Sequence, residues 1–294
     1  TYMRVLMAEV LNDLRRPSEA LPLLQKALAD DPGSDDALQA LFVALLRKSD
    51  VRGAERIVRT AKTQHGMWSE VFDLDRMLAM RRRGPAWPRH FVATSSHYEV
   101  HSDIDKRICE EAIAVLEESY ASLRTQFAEV AEQPGAPKFH VFLFSGEAGY
   151  QEYNSQILGQ AVPHSAGLYS PVLKQLLIWN VPKREDMVRT VRHEGFHQFL
   201  DRVMIDPPVW LNEGMAEFWE TAKKDGAKFT GGQPRPEHVA TLLRSKKAIP
   251  KLKDFVYGPR SDFYRFAQQR YAQGWALVHF LRKGPPANQK IFQT

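Results

Sequence analysis

Val191 to Glu220 reads VRHEGFHQFLDRVMIDPPVWLNEGMAEFWE, with His193 and His197 four residues apart and Glu194 directly after the first of them. On a helix, positions i and i+4 lie one turn apart on the same face, so both imidazoles can aim a nitrogen at one ion. Glu194 sits beside that pair. It is poorly placed to be a third ligand and well placed to take the proton from a metal-bound water. Pro207-Pro208 ends this helix, and a second helical segment over 210–221 carries Glu213, Glu217 and Glu220. Glu213 and Glu217 are again i and i+4. One of them can complete a tetrahedral set, while the other bonds the far nitrogen of a liganding histidine. Glu220 is read as part of an exposed acidic face. Gly195 costs about 1 kcal/mol relative to alanine inside a helix, so it is expected to serve close approach of another group.

Outward from this stretch, composition sets the frame. The chain has 294 residues, is 44% apolar and carries a net charge of +5, which suits one large or two ordinary globular domains. No apolar run approaches the roughly 18 residues of a membrane span. Lysines and arginines are scattered and not interleaved with aromatics, so nothing prompts nucleic-acid binding. A single cysteine, Cys109, excludes an internal disulfide framework and a cysteine-rich zinc cluster. Thr1 opens the chain inside a helical pattern, as expected for a piece or processed form of a longer protein.

Residues 1–66 alternate helical patterns with short breaks at Arg16-Pro17, Asp31-Pro32-Gly33 and Asp50. A shift of 34 residues superposes Leu11 on Leu45, Ala20 on Ala54, Leu24 on Val58 and Ala27 on Ala61. That is the period of tetratricopeptide-type helix pairs. Such a segment either offers a groove to a protein partner or acts as a helical spacer. Residues 67–90 continue as helix and linker, broken at Arg81-Arg82-Arg83-Gly84-Pro85 and Trp87-Pro88.

Beyond Pro88 the period becomes strand-like at 91–94 and 97–101. A long amphipathic helix over 105–127 follows, with Ser102 or Asp103 expected to cap it. Residues 138–144 read as a buried strand and 147–157 as a helix. Residues 166–169 and Gln175 to Trp179 read as a hairpin turning at Ser170-Pro171, all in one mixed sheet. His97, His101, His140 and His164 have no partner at ligand spacing on their own elements and are read as surface or hydrogen-bonded polar residues. Val188, Val191 and Phe199 are the expected buried stripe of the helix over 184–200.

His-Glu-x-x-His followed by Asn212-Glu213-Gly214-x-Ala216 resembles the gluzincins, the clan of thermolysin and the aminopeptidase N family. A metzincin signature would need glycine and histidine where Leu200 and Val203 stand. The resemblance implies one zinc ion held by His193, His197 and Glu213, Glu194 as general base, and Glu217 as support for a zinc histidine. Tyr271-Ala272-Gln273-Gly274-Trp275-Ala276-Leu277 is similar to a segment of the aminopeptidase N family whose tyrosine stabilises the oxyanion, a role it implies for Tyr271. Tyr257 and Tyr264 are rivals. The Gly-Ala-Met-Glu-Asn motif that holds a free amino terminus is absent, and the loop between His197 and Glu213 is shorter than in the aminopeptidases.

A closer overall likeness than that to the aminopeptidases is to bacterial peptidase MA-like proteins, which often pair such a domain with tetratricopeptide repeats. It favours an extracytoplasmic setting. In the clan an edge strand holds extended substrate by strand addition, and Gln175 to Trp179 is the candidate. The expectation is therefore an α+β fold: helical repeats over 1–66, linker over 67–90 and a zincin-like catalytic domain over 91–294. Peptide or protein substrates and a partner on the repeats are implied. The alternative is a partner-binding scaffold whose zinc-peptidase fold is structural or vestigial.

Overall fold

The computed structural model describes residues 1–293 apart from 15, 66–68, 128–134, 160–164, 205–206, 226–227 and 247–248. His164 lies outside the described residues. The fold is α+β, and the chain forms two compact units. One joins Thr1–Glu110 with Pro137–Asn180, and the other joins Glu111–Ala136 with Val181–Thr294.

The first unit begins with helices α1 (Tyr2–Asp13), α2 (Pro17–Asp30), α3 (Asp35–Arg47), α4 (Val51–His65) and α5 (Ser69–Arg83). Local chemistry starts them: Pro17 opens α2, Ser34 Oγ accepts from the Ala37 amide at 3.4 Å, and Asp50 Oδ1 accepts from the Gly53 amide at 2.8 Å. Ala20 and Leu24 of α2 pack between Ala8 and Leu11 of α1 and Ala40, Leu41 and Ala44 of α3. The positions 34 residues on, Ala54 and Val58, are also buried, against Phe42, Leu46, Leu74 and Leu78. The repeat seen in the sequence is thus a repeat of buried faces.

The break at 81–88 does not divide the contacts. Met80 packs with Phe142, Phe144 and Leu177, and its carbonyl accepts from Gln175 Nε2 at 2.7 Å. Gly84 adopts φ +69°, where a Cβ would sit 2.1 Å from the Phe142 ring, so only glycine fits this turn. The helices and the sheet therefore share one unit, whereas the sequence suggested a boundary at 67–90.

The sheet contains β1 (Phe91–Thr94), β2 (Tyr98–Ser102), β3 (Phe139–Phe144), β4 (Gly167–Ser170) and β5 (Gln175–Trp179). Helix α6 (Lys106–Gln126) lies between β2 and β3 in the chain, and α7 (Glu147–Leu158) between β3 and β4. Strand order is β1-β2-β3-β5-β4, with parallel β2–β3 and β3–β5 pairs and antiparallel pairs at both ends.

Two expectations are corrected here. Gln175 to Trp179 is not an edge strand: it is β5, paired on both sides, with Leu176, Leu177 and Ile178 fully buried. The turn dictates that the hairpin forms, but which arm joins the sheet is decided by distant β3. The cap of α6 is Asp105, whose Oδ1 accepts from the Ile108 amide at 2.8 Å. Ser102 instead donates to Leu143 O, and Asp103 accepts from Ser145.

The second unit holds the rest of α6, then α8 (Arg184–Val203), α9 (Val209–Glu220), a hairpin of β6 (Lys223–Asp225) and β7 (Lys228–Thr230), α10 (Pro236–Arg244), α11 (Leu252–Val256), α12 (Arg260–Arg265), α13 (Ala267–Lys283) and α14 (Pro286–Gln293). Helix α8 buries Met187, Val191, Phe196, Phe199 and Leu200, while Val188 is half-buried. Phe199 packs edge-on against Tyr120 of α6. A Cβ on Gly195 would lie 2.8 Å from Leu116 Cδ2, so the expected close approach is to α6. Where α9 meets α13, a Cβ on Gly214 would lie 2.5 Å from the Gly274 carbonyl oxygen. The two glycines let these backbones touch. Among the described residues no helix is long and apolar enough to cross a membrane.

Candidate metal centre

Helix α8 presents His193 and His197 with ring centroids 4.9 Å apart. Helix α9 brings Glu213 to them: Oε2 lies 3.6 Å from His193 Nε2 and 3.3 Å from His197 Nε2. That oxygen is buried and has no hydrogen-bond partner, a costly state unless something else satisfies it.

The outward nitrogens explain the rings' orientation. His197 Nδ1 lies 2.8 Å from Asn212 Oδ1, and His193 Nδ1 lies 2.9 Å from Glu220 Oε2. A carbonyl and a carboxylate only accept, so each Nδ1 carries the proton and each Nε2 turns toward Glu213. Two neutral-ring Nε2 atoms and one carboxylate oxygen, converging and supported from behind, form a donor set that suits zinc. Burial alone would raise the Glu213 carboxyl, but the two imidazoles hold it well below the usual range. Burial opposes a His193 cation, yet Glu213, Glu220 and Glu194 together raise its pKa well above 6.5.

Glu217 is not the residue on His193. Its Oε1 is 4.0 Å from His193 Nδ1, while its Oε2 pairs with Arg235 Nη1 at 2.6 Å and His238 Nε2 at 2.7 Å. Glu220 takes the supporting place, and its expected exposure is also corrected, since it is 7% exposed. Seven residues make nearly two full turns, a drift of only about 20°, so Glu220 falls back in line with Glu213. Arg235 Nη1 also pairs with Glu220 Oε1 at 2.6 Å, and Arg189 with the same oxygen at 2.7 Å. Burial pushes the Glu220 carboxyl up, but His193 and the two arginines bring it down to about 2. His193, Glu217 and Glu220 form a further group at metal-ligand spacing, but Arg235 bridges its two carboxylates, with Arg189 on Glu220 and His238 on Glu217.

Tyr271 on α13 lies with its ring centroid 6.4 Å from that of His193. Burial first, then the Glu213 carboxylate, Tyr264 and Glu194, lift its pKa above the ordinary tyrosine range, so it stays a donor. The Gly214–Gly274 contact places it, because Gly274 lies one turn beyond Tyr271. Tyr264 donates to Glu213 Oε1 at 2.8 Å and so acts on that carboxylate itself. Tyr257 is 82% exposed and takes no part. Glu194 is half-buried, and its charge is felt by both His193 and Tyr271.

Sequence reasoning gave no role to Asn212, Glu220, Arg235 or His238, and it offered Tyr264 as a rival for the oxyanion, not as a partner of Glu213. Asn212 stood inside the quoted motif and Glu220 lay two turns from Glu213, but which ring nitrogen each meets is set by how α8 and α9 pack. Arg235 had no local signal. It reaches α9 because Gly232, at φ +72°, packs on Phe218 and donates its amide to Phe218 O at 2.7 Å. A cleft of about 600 Å³ in this unit is lined by Glu118, Phe218, Trp219, Phe229, Arg282 and Lys283 among others, and by none of the metal-centre residues.

Comparison with known families adds two findings. Residues 11–77 match the tetratricopeptide repeat family. The N-terminal helices are repeats of that kind. Residues 187–288 match a family described as a protein of unknown function, DUF1570, and the match covers the candidate site residues from His193 to Tyr271. Among curated proteins no relative matches the chain.

Proposed function

We propose that this protein is a zinc-dependent peptidase of the gluzincin type, with a zincin-like catalytic domain and one ion held by His193, His197 and Glu213. The observation that carries the reading is the orphaned, buried Glu213 Oε2 facing two imidazole Nε2 atoms whose Nδ1 atoms are both engaged. When bound, zinc supplies a Lewis acid that lowers the pKa of a water to around 7.

The chain's own residues do the rest. Asn212 and Glu220 fix the two rings. Glu194 accepts the proton of the attacking water and returns it to the leaving amine, a general-base and then general-acid role. Tyr271 keeps its phenolic proton and donates to the oxyanion that develops on the scissile carbonyl. Tyr264 holds Glu213 by its other oxygen. The tetratricopeptide match favours protein interaction at 11–77, so the repeats either deliver protein substrates or make the chain a scaffold with a structural zinc site.

Metal analysis and mass-spectrometric profiling of a peptide library, with and without chelator, test the reading. Glu194→Gln is expected to keep zinc and lose about 10²–10⁴-fold in turnover. Undiminished cleavage by that variant, or cleavage insensitive to the chelator, would sink the mechanism. Zinc bound with no cleavage of any peptide would favour the scaffold.

A further inference from the structure

The first unit carries a second constellation of metal-ligating side chains. Glu99 and His101 are two apart on β2 and so project from the same face of the sheet. Glu99 is in register with His140 on β3, and His101 with Phe142, which puts His140 on that face too. His101 Nε2 is 2.9 Å from Glu99 Oε1, and His140 Nδ1 is 3.5 Å from the same oxygen. One donor atom from each residue lies within 4.8 Å of the other two. Donors held at about 2.0–2.1 Å by a tetrahedral ion are separated by about 3.3 Å, a value these two contacts bracket.

Support for the central ring comes from two sides. His90 Nε2 meets His101 Nδ1 at 2.8 Å, leaving Nε2 as the ring atom turned to Glu99. Phe142 stacks on the His101 ring at 4.7 Å and 14°. His101 is 9% exposed, whereas the His140 and Glu99 side chains are about one-third exposed, so one side of the cluster is rigid and the other opens to solvent. Arg81 is the cation whose field reaches His140.

We propose that Glu99, His101 and His140 form a second divalent transition-metal site, suited to zinc, with His90 as the positioning residue behind His101 and a solvent-facing position left for a further ligand. Two imidazoles and one carboxylate select zinc-class ions over magnesium or calcium, which take mainly oxygen donors. The inference is independent of the peptidase reading, because no residue is shared between the two centres.

Zinc stoichiometry on the full chain tests it, with wild type, His101→Ala/His140→Ala and His193→Ala/His197→Ala measured side by side after equilibration and removal of free metal. The expected result is two zinc ions in the wild type and one in each double variant. Cobalt titration of His193→Ala/His197→Ala is expected to give visible absorption typical of a tetrahedral site. His90→Ala, an exposed change that spares the fold, should weaken zinc binding to this site by about 10–100-fold, and peptide cleavage by His90→Ala should match the wild type. One zinc in the wild type, lost in His193→Ala/His197→Ala and retained in His101→Ala/His140→Ala, would overturn the second site and leave the peptidase reading intact. Unchanged zinc affinity in His90→Ala would remove its positioning role.

Discussion

His193 shares its field with three carboxylates, and that sets how the metal-free centre responds to pH. Its pKa is raised above 6.5, so the stability from its pairing is fully present below 6.5 and lost as pH rises through the raised value. Glu220 is depressed from 4.5 to about 2, so its contribution is present above 4.5 and lost as pH falls through that lower value. The pair therefore contributes most between pH 4.5 and 6.5. Denaturant midpoints of metal-free wild type and Glu220→Gln are expected to differ most in that window. A difference that stays flat from about pH 3 to about pH 9 would contradict the assignment. With zinc present, Glu220→Gln should weaken the metal by about 10–100-fold, and Glu217→Gln by much less, in competition with a chromophoric chelator. Equal losses would return Glu217 to the role read from the sequence. His193, Glu194 and His197 were legible as a group because they sit at fixed spacing on α8, and Glu213 because it stands in the motif that opens α9. The choice between Glu217 and Glu220 was not, since both face the same side and only the position of α8 and Arg235 separates them.

Among the elements, α9 and α13 matter most, because their close packing puts the Tyr271 ring beside His193. Gly214→Ala places a methyl 2.5 Å from a backbone oxygen that cannot rotate away. The helices must separate, and the expected cost is about 1–3 kcal/mol of stability by chemical denaturation. Cleavage should fall with it, as Tyr271 moves from the centre. A wild-type denaturation midpoint would show that the contact is looser than the geometry requires. On α6, Cys109 is buried and donates weakly to Phe91 O, and burial pushes its thiol up to about 11. Native protein at pH 8 should resist alkylation that proceeds readily in urea, as mass spectrometry would read; rapid native modification would refute its burial. Helices and strands were legible here because their apolar periods are local. The hairpin illustrates the limit: its turn was readable, but β5 lies inside the sheet and β4 at its edge because β3 pairs with β5.

For the whole molecule, the proposed zinc ligands come from two helices, so bound zinc would tie α8 to α9 and stabilise the second unit. In His101→Ala/His140→Ala, which isolates that centre, zinc at about a thousand times its Kd should add about 4 kcal/mol. Thermal denaturation with zinc and with chelator checks this, and identical midpoints would deny a bound ion at His193 and His197. The sequence by itself determined the tetratricopeptide period, the α+β character and the clustering of His193, Glu194 and His197 on one helix, because helical and strand spacing are properties of neighbouring residues. Tertiary structure alone decided that units are discontinuous, that Glu220 and Asn212 stand behind the two rings, and that Glu99, His101 and His140 meet on one face. Those outcomes depend on strand register and helix contact between residues far apart in the chain, and no local pattern carries that information.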